Sequence, residues 1–155
     1  TGMTRSEVRR AVRALARKGL AEFGFGLWTD DGTPFGSGYT ITVRDAGNTT
    51  NPGLYNTDAA YLLGSADNSY NNNADLSAVA GYGIQCSSAS ATCTAPYNVS
   101  GNNVGGYELT AQTFATFGSE ADSHTITITS KAKAANTSPA GSYADTVTVI
   151  ATGNF

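Results

Sequence analysis

Residues 124–130 read His-Thr-Ile-Thr-Ile-Thr-Ser, and residues 146–150 read Thr-Val-Thr-Val-Ile. In both stretches branched apolar residues alternate with threonine, which places the apolar side chains on one face of a strand and the threonines on the other. Short strands at such spacing, separated by turn-forming residues, predict a mainly β protein built as an antiparallel sandwich. The predicted strands are Tyr39–Val43, Gly81–Cys86, Tyr107–Thr113, His124–Ser130 and Tyr143–Ala151.

The composition fits an extracellular β protein. Charged residues make up 14% of the 155 residues, well below the usual quarter, and glycine supplies 18 positions. A hydrophobic share of 40% argues against disorder and allows a real core in one domain with a small appendage. The sequence holds no apolar run of roughly 18 residues, so it predicts no membrane-spanning helix.

The chain changes character near Gly38–Thr42. Residues 1–20 carry six basic groups against one acid, whereas residues 45–155 carry two basic groups against eight acids. We therefore divide the chain into residues 1–37, a basic helix with a hairpin, and residues 38–155, the sandwich.

The first of these parts begins with a helix signal. Thr4-Arg5-Ser6-Glu7 is a capping box, and the apolar residues that follow recur at helical spacing, which predicts an amphipathic helix over residues 5–18. Residues 20–28 and 39–43 are predicted to pair as a hairpin with a long tip, because Asp30–Pro34 is a turn signal.

The basic face of this helix is a candidate contact surface for DNA or another anion. The alternative is a solvated face on a helix whose apolar side packs against the sandwich. The candidate contact residues are Arg5, Ser6, Arg9, Arg10, Arg13 and Arg17.

Cys86 and Cys93 are the two cysteines of the chain. They flank a six-residue polar stretch that suits a hairpin tip, and a disulfide between them would suit an oxidising compartment. Two reduced thiols are the alternative.

The sequence predicts no catalytic, metal or cofactor site. His124 has no partner in a recognised catalytic order, and no G-x-S-x-G elbow is present. One histidine and two cysteines do not make a four-ligand zinc centre. We expect a protein that is not an enzyme and needs no cofactor.

Residues 38–155 carry a family resemblance. Gly38–Val43, Gly81–Gln85, the run Pro96–Gly106 and the ending Pro139–Val149 resemble an immunoglobulin-like surface domain of bacterial extracellular proteins. The ending also resembles the closing strand of spore-coat-U-type pilus subunits. The resemblance implies an immunoglobulin-like sandwich with a structural or adhesive role. The chain departs from this pattern at its start, where one or two strands expected before Gly38 are replaced by the basic helix. If those strands are absent, the sandwich has an open edge and an uncovered apolar groove, and we expect either self-association by strand addition or covering of the groove by residues 5–18.

Residues 1–42 carry a second resemblance. Thr1–Met3, Thr4–Lys18, Lys18–Phe23 and Gly36–Thr42 resemble the turn, recognition helix and wing of a winged helix-turn-helix domain. This resemblance implies that the helix enters the major groove with its first exposed turns facing DNA. The residues so placed would be Arg5, Ser6, Arg9, Arg10 and Arg13.

These observations lead to one expected function and two rivals. We expect a structural or adhesive domain, extracellular or at the cell surface, that joins copies of itself or another surface protein by β-strand addition. The first rival is a cytoplasmic DNA-binding protein that uses the basic helix. The second is a fusion of two gene fragments at Gly38–Thr42 with no evolved function.

Overall fold

The computed structural model describes residues 20–25, 37–66, 73–121 and 124–154, and these residues are mainly β. The helix predicted over residues 5–18 lies outside the described residues. The described strands are β1 Leu20–Phe25, β2 Tyr39–Asp45, β3 Gly53–Asn56, β4 Tyr61–Gly64, β5 Asn73–Asp75, β6 Gly81–Ser88, β7 Thr92–Cys93, β8 Asn103–Gly105, β9 Gln112–Phe117, β10 His124–Lys133 and β11 Val147–Gly153.

The strands form two main antiparallel sheets and one small one. The five-stranded sheet has the order β1-β10-β6-β8-β5, and the four-stranded sheet has the order β11-β2-β9-β7. Strands β3 and β4 form a separate two-stranded sheet. This architecture confirms the predicted mainly β, antiparallel fold.

The alternating residues of the two main sheets build one core between them. In β2 the residues with odd numbers are buried and those with even numbers are not, and β11 buries Val147 and Val149 in the same way. The opposite sheet contributes Ile126 and Ile128 of β10 together with Ile84 of β6 to the same apolar cluster. Two sheets that each bury one face in this way pack as a sandwich.

The predicted hairpin between residues 20–28 and 39–43 is wrong. Strand β1 pairs with β10, from Leu20 opposite Thr129 to Phe25 opposite His124. Both sides of β2 are occupied, by β11 on one side and β9 on the other. The turn signal at Asp30–Pro34 does not lead to pairing with β2, because β9 and β11 occupy both sides of β2 and complete its apolar face. Strand β1 precedes Gly38 in the sequence and forms one edge of the five-stranded sheet. At least one strand is therefore present in the part of the chain where the early strands were expected to be missing.

Two further strands begin later than predicted. Residues 107–111 precede β9, and Tyr107 is buried beside Tyr82 with ring centroids 5.1 Å apart. The Tyr107 N–H donates to the Ser65 side chain instead of to a neighbouring strand. Before β11, Ala144 exchanges two backbone hydrogen bonds with Tyr55, at 2.9 and 3.0 Å. The chain therefore pairs with β3 first and with β2 only from Val147 onward.

Candidate interaction edge

Strand β11 forms one edge of the four-stranded sheet. It pairs antiparallel with β2 along its whole length, from Val147 opposite Asp45 to Gly153 opposite Tyr39. Among the residues that the structure describes, no strand pairs with the other side of β11. A row of backbone hydrogen-bonding groups therefore lies along that side, available to another strand.

The hydrogen bonds at the two ends of the ladder identify the residues that face this open side. The N–H of Ala46 donates to the carbonyl of Thr146 at 3.1 Å, and the N–H of Asn154 donates to the carbonyl of Gly38 at 2.8 Å. In an antiparallel ladder, residues bonded to the neighbour alternate with residues that point away from it. The even-numbered residues of β11 therefore bond to β2, and the backbone groups that face the open side belong to Val147, Val149, Ala151 and Gly153.

The sequence of β11 lacks the usual protection of an edge strand. Its seven residues include no charge and no proline, and its pairing with β2 has no bulge. Charges, prolines, bulges and shortness are the devices that normally keep an edge from recruiting strands. The edge strands β5 and β7 have only three and two residues, and β1 contains Glu22. Strand β11 is thus the long, uncharged edge of the described part of the sandwich.

The core holds β11 in place for pairing. Val147 and Val149 are buried in the apolar cluster, whereas Thr148, Ile150 and Thr152 lie on the outer face of the sheet. The buried valines and the seven-residue ladder to β2 hold β11 in an extended conformation. This is the conformation that pairing with another strand requires. Binding at such an edge requires little further ordering of the chain.

A pair of carboxyl groups lies where β2 meets the start of β11. The Asp45 side chain is 2% exposed and accepts hydrogen bonds from the N–H groups of Gly47 at 2.5 Å and Gly53 at 2.6 Å. Asp145 accepts from the N–H of Thr146 at 2.6 Å and from the same Gly47 N–H at 3.3 Å. The two carboxyl groups thus accept from the same Gly47 N–H and link the loop after β2 to the residues just before β11.

Burial, followed by the hydrogen bond to Asp145 and the negative charge of Asp145, raises the pKa of Asp45 to about 8. The backbone N–H groups of Gly47 and Gly53 oppose this shift. Asp145 Oδ2 is buried and has no hydrogen-bond partner. A proton on Asp45 allows this carboxyl group to donate to Asp145, which is why the neighbouring carboxyl group raises the pKa of Asp45.

The predicted disulfide between Cys86 and Cys93 is confirmed, with Cα atoms 5.7 Å apart. The expected hairpin tip between the two residues is wrong, because β6 and β7 belong to different main sheets. Strand β7 pairs with β9 instead, and Cys93 lies opposite Ala115. The bond therefore ties the two sheets together where the chain crosses between them.

The one histidine is used in packing. The Tyr39 hydroxyl and His124 Nδ1 are 3.2 Å apart, and the Phe117 ring meets the imidazole edge-on with centroids 4.4 Å apart. The described residues contain no group of three or more His, Cys, Asp or Glu side chains that could hold a metal ion.

The basic candidate contacts are Arg5, Ser6, Arg9, Arg10, Arg13 and Arg17, and they lie outside the described residues. Contact with DNA or another anion stays a prediction.

Sequence reasoning missed both the carboxyl pair and the position of the open edge. Asp45 and Asp145 are 100 residues apart and meet only because β11 pairs with β2 in one register. The uncharged run over residues 147–153 was visible in the sequence, but the absence of a neighbour on one side of it was not.

In the described part of the chain, no helix has the length and apolar character needed to cross a membrane. Comparison with protein-family models, with curated proteins and with solved structures finds no match to this chain.

Proposed function

We propose that this chain is a non-enzymatic structural or adhesive domain, extracellular or at the cell surface, that assembles by β-strand addition at β11. The observation that carries the proposal is the open side of β11, with four residues whose backbone groups face away from β2. Strand addition satisfies such groups with main-chain hydrogen bonds from the incoming strand.

The disulfide supports the extracellular part of the proposal. Disulfides persist in oxidising compartments and are rare in the reducing cytosol. The bond between Cys86 and Cys93 joins the two sheets, and the low charge and many threonines of the outer strand faces are also typical of exported β proteins.

The surroundings of Asp45 and His124 support a structural role for these two groups. Asp45 has both oxygens engaged by backbone N–H groups inside the core, where a substrate has no access. His124 is held between Tyr39 and Phe117. A catalytic acid or base must be accessible to its substrate. Asp45 and His124 instead make contacts within the protein that stabilise the fold.

Light scattering over a wide range of protein concentration tests assembly at β11. We expect the mean mass to rise with concentration and the rise to be lost in Ile150→Lys, because a lysine on an edge strand disfavours strand pairing. The matched control is Thr42→Lys, which places the same charge on the same outer face, opposite Ile150 but one strand inward.

A second variant tests the backbone directly. Ala151→Pro removes an N–H that faces the open side and leaves the bonds to β2 intact. Circular dichroism confirms that each variant is folded. A wild-type chain that stays monomeric at every concentration, or a Thr42→Lys variant that loses assembly as fully as Ile150→Lys, would overturn the proposal.

A further inference from the structure

We propose that the strand added at β11 is β11 of a second copy of this chain, paired antiparallel about a two-fold axis through Ile150. This inference rests on the proposed function and adds the identity of the partner and the register of pairing. It would join two four-stranded sheets into one continuous sheet of eight strands.

The available backbone groups of β11 fit this pairing. An antiparallel pairing centred on Ile150 places Val147 opposite Gly153 of the second copy and Val149 opposite its Ala151. These are the residues whose N–H and C=O groups face the open side. Every odd-numbered residue of β11 then forms a hydrogen-bonded pair, and Ile150 faces its own copy as a non-hydrogen-bonded pair.

The side chains of β11 also fit each other in this register. On the buried face the larger Val147 and Val149 lie opposite the smaller Gly153 and Ala151 of the second copy. The two strands therefore fit together without overpacking. On the outer face Thr148 meets Thr152, and Ile150 meets Ile150. Cross-strand pairs of β-branched residues stabilise a sheet, and no charge opposes a like charge.

The two-fold pairing also closes the assembly. Pairing about a two-fold axis uses the same surface on both copies, so it satisfies both open sides at once and ends at a dimer. An edge that is long and uncharged would otherwise keep recruiting strands. The competing occupants of this edge are residues 1–19 of the same chain and a strand from a different protein.

Cysteine cross-linking of the full chain tests the register. In the proposed dimer the two Ile150 Cα atoms lie about 4.5 Å apart, which is within the range of a disulfide. The chain's own two cysteines are already bonded to each other, so an introduced thiol reacts alone. We expect Ile150→Cys to form a covalent dimer under mild oxidation, in most of the protein.

The matched control is Thr148→Cys. Two copies of residue 148 would lie four residues out of register, about 13 Å apart, and should not cross-link. Thr152→Cys alone should also stay monomeric on a denaturing gel. A mixture of Thr148→Cys and Thr152→Cys chains should nevertheless cross-link, because these two positions face each other.

The outcomes separate this inference from the proposed function. Assembly that is lost in Ile150→Lys but gives no Ile150→Cys cross-link, or an equal cross-link at Thr148→Cys alone, overturns the symmetric dimer and leaves strand addition standing. A chain that never assembles overturns both. A covalent Ile150→Cys dimer together with the cross-linked mixture supports the inference.

Discussion

Asp45 is an acid buried at the point where β2 meets β11, and its environment decides its charge. Two backbone N–H groups satisfy its oxygens, yet burial and the nearby Asp145 raise its pKa to about 8. The protonated side chain can donate to Asp145 while it still accepts from Gly47 and Gly53. At this residue, folding is therefore coupled to the uptake of a proton.

This coupling predicts that the free energy of unfolding falls as the pH rises from about 4 to about 8. The unfolded Asp45 releases its proton near its ordinary pKa of 3.8, whereas the folded one keeps it until about 8. The stability contributed by the bound proton is complete below pH 4 and is lost as the pH passes through 8. Thermal unfolding at pH 5, 7 and 9 measures this trend in the melting temperature.

The matched variant for this prediction is Asp145→Asn. Its amide can donate to Asp45 where Asp145 Oδ2 has no donor, and it removes the neighbouring negative charge. We expect the variant to be more stable than the wild type at pH 9 and to show a flatter dependence on pH. An identical pH profile in the two proteins would show that the carboxyl pair does not control the trend.

Gly83 is a second residue whose identity the fold requires. A Cβ at this position would lie 2.5 Å from the carbonyl oxygen of Gly105 and 2.8 Å from Val104 Cγ2, because β6 and β8 approach closely there. We expect Gly83→Ala to destabilise the protein by about 1–3 kcal/mol, measured by urea unfolding. Gly118→Ala, which has no atom within 4 Å of the added Cβ, should change stability by less than about 0.5 kcal/mol.

At the scale of the elements, the strands with a clear period-two pattern were predictable. Strands β2 and β10 begin at the predicted residues because their alternation is a property of each segment alone. Strand β6 also begins at the predicted residue, although its first six residues are all buried and show no alternation. Pairing was not predictable in the same way. That β1 joins β10, and that β11 has one neighbour, depends on which distant strands complete each apolar face.

The disulfide shows the same division between local and distant information. Composition and spacing favoured a bond between Cys86 and Cys93, but they placed it across a hairpin tip. The bond in fact spans the two sheets, because β7 pairs with β9 instead of folding back on β6. A local signal identified the pair, and the sandwich gives the bond its structural role.

Removing this bond should lower stability through the unfolded state. The bond closes a loop with a sequence separation of 7, for which loop-closure entropy gives about 2.5 kcal/mol. We expect the double variant Cys86→Ser and Cys93→Ser to melt roughly 5–10 °C lower than the wild type, in scanning calorimetry. Ser87→Ala in the same loop should melt near the wild-type temperature. A double variant as stable as the wild type would mean that the sheets do not depend on the link.

In the whole molecule, two different features could cause copies of the chain to associate. One is β11, which carries no charge. The other is electrostatic, because residues 1–20 have six basic groups against one acid and residues 45–155 have eight acids against two basic groups. The basic segment of one copy could attract the acidic residues of another by charge alone. Salt separates the two features, since it screens exposed charges over about 10 Å at 0.1 M and does not weaken strand pairing in this way.

We therefore expect the association constant to change by less than about twofold between about 50 mM and 500 mM NaCl, because the pairing surface at β11 is neutral. Sedimentation equilibrium at several salt concentrations measures it. The variant with Arg9→Ala and Arg13→Ala should associate as the wild type does, whereas Ile150→Lys should not. A tenfold weakening in high salt, accompanied by loss of association in the arginine variant, would assign assembly to the basic segment. Assembly would then no longer require the open side of β11, even though that side would remain the longest uncharged edge that the structure describes.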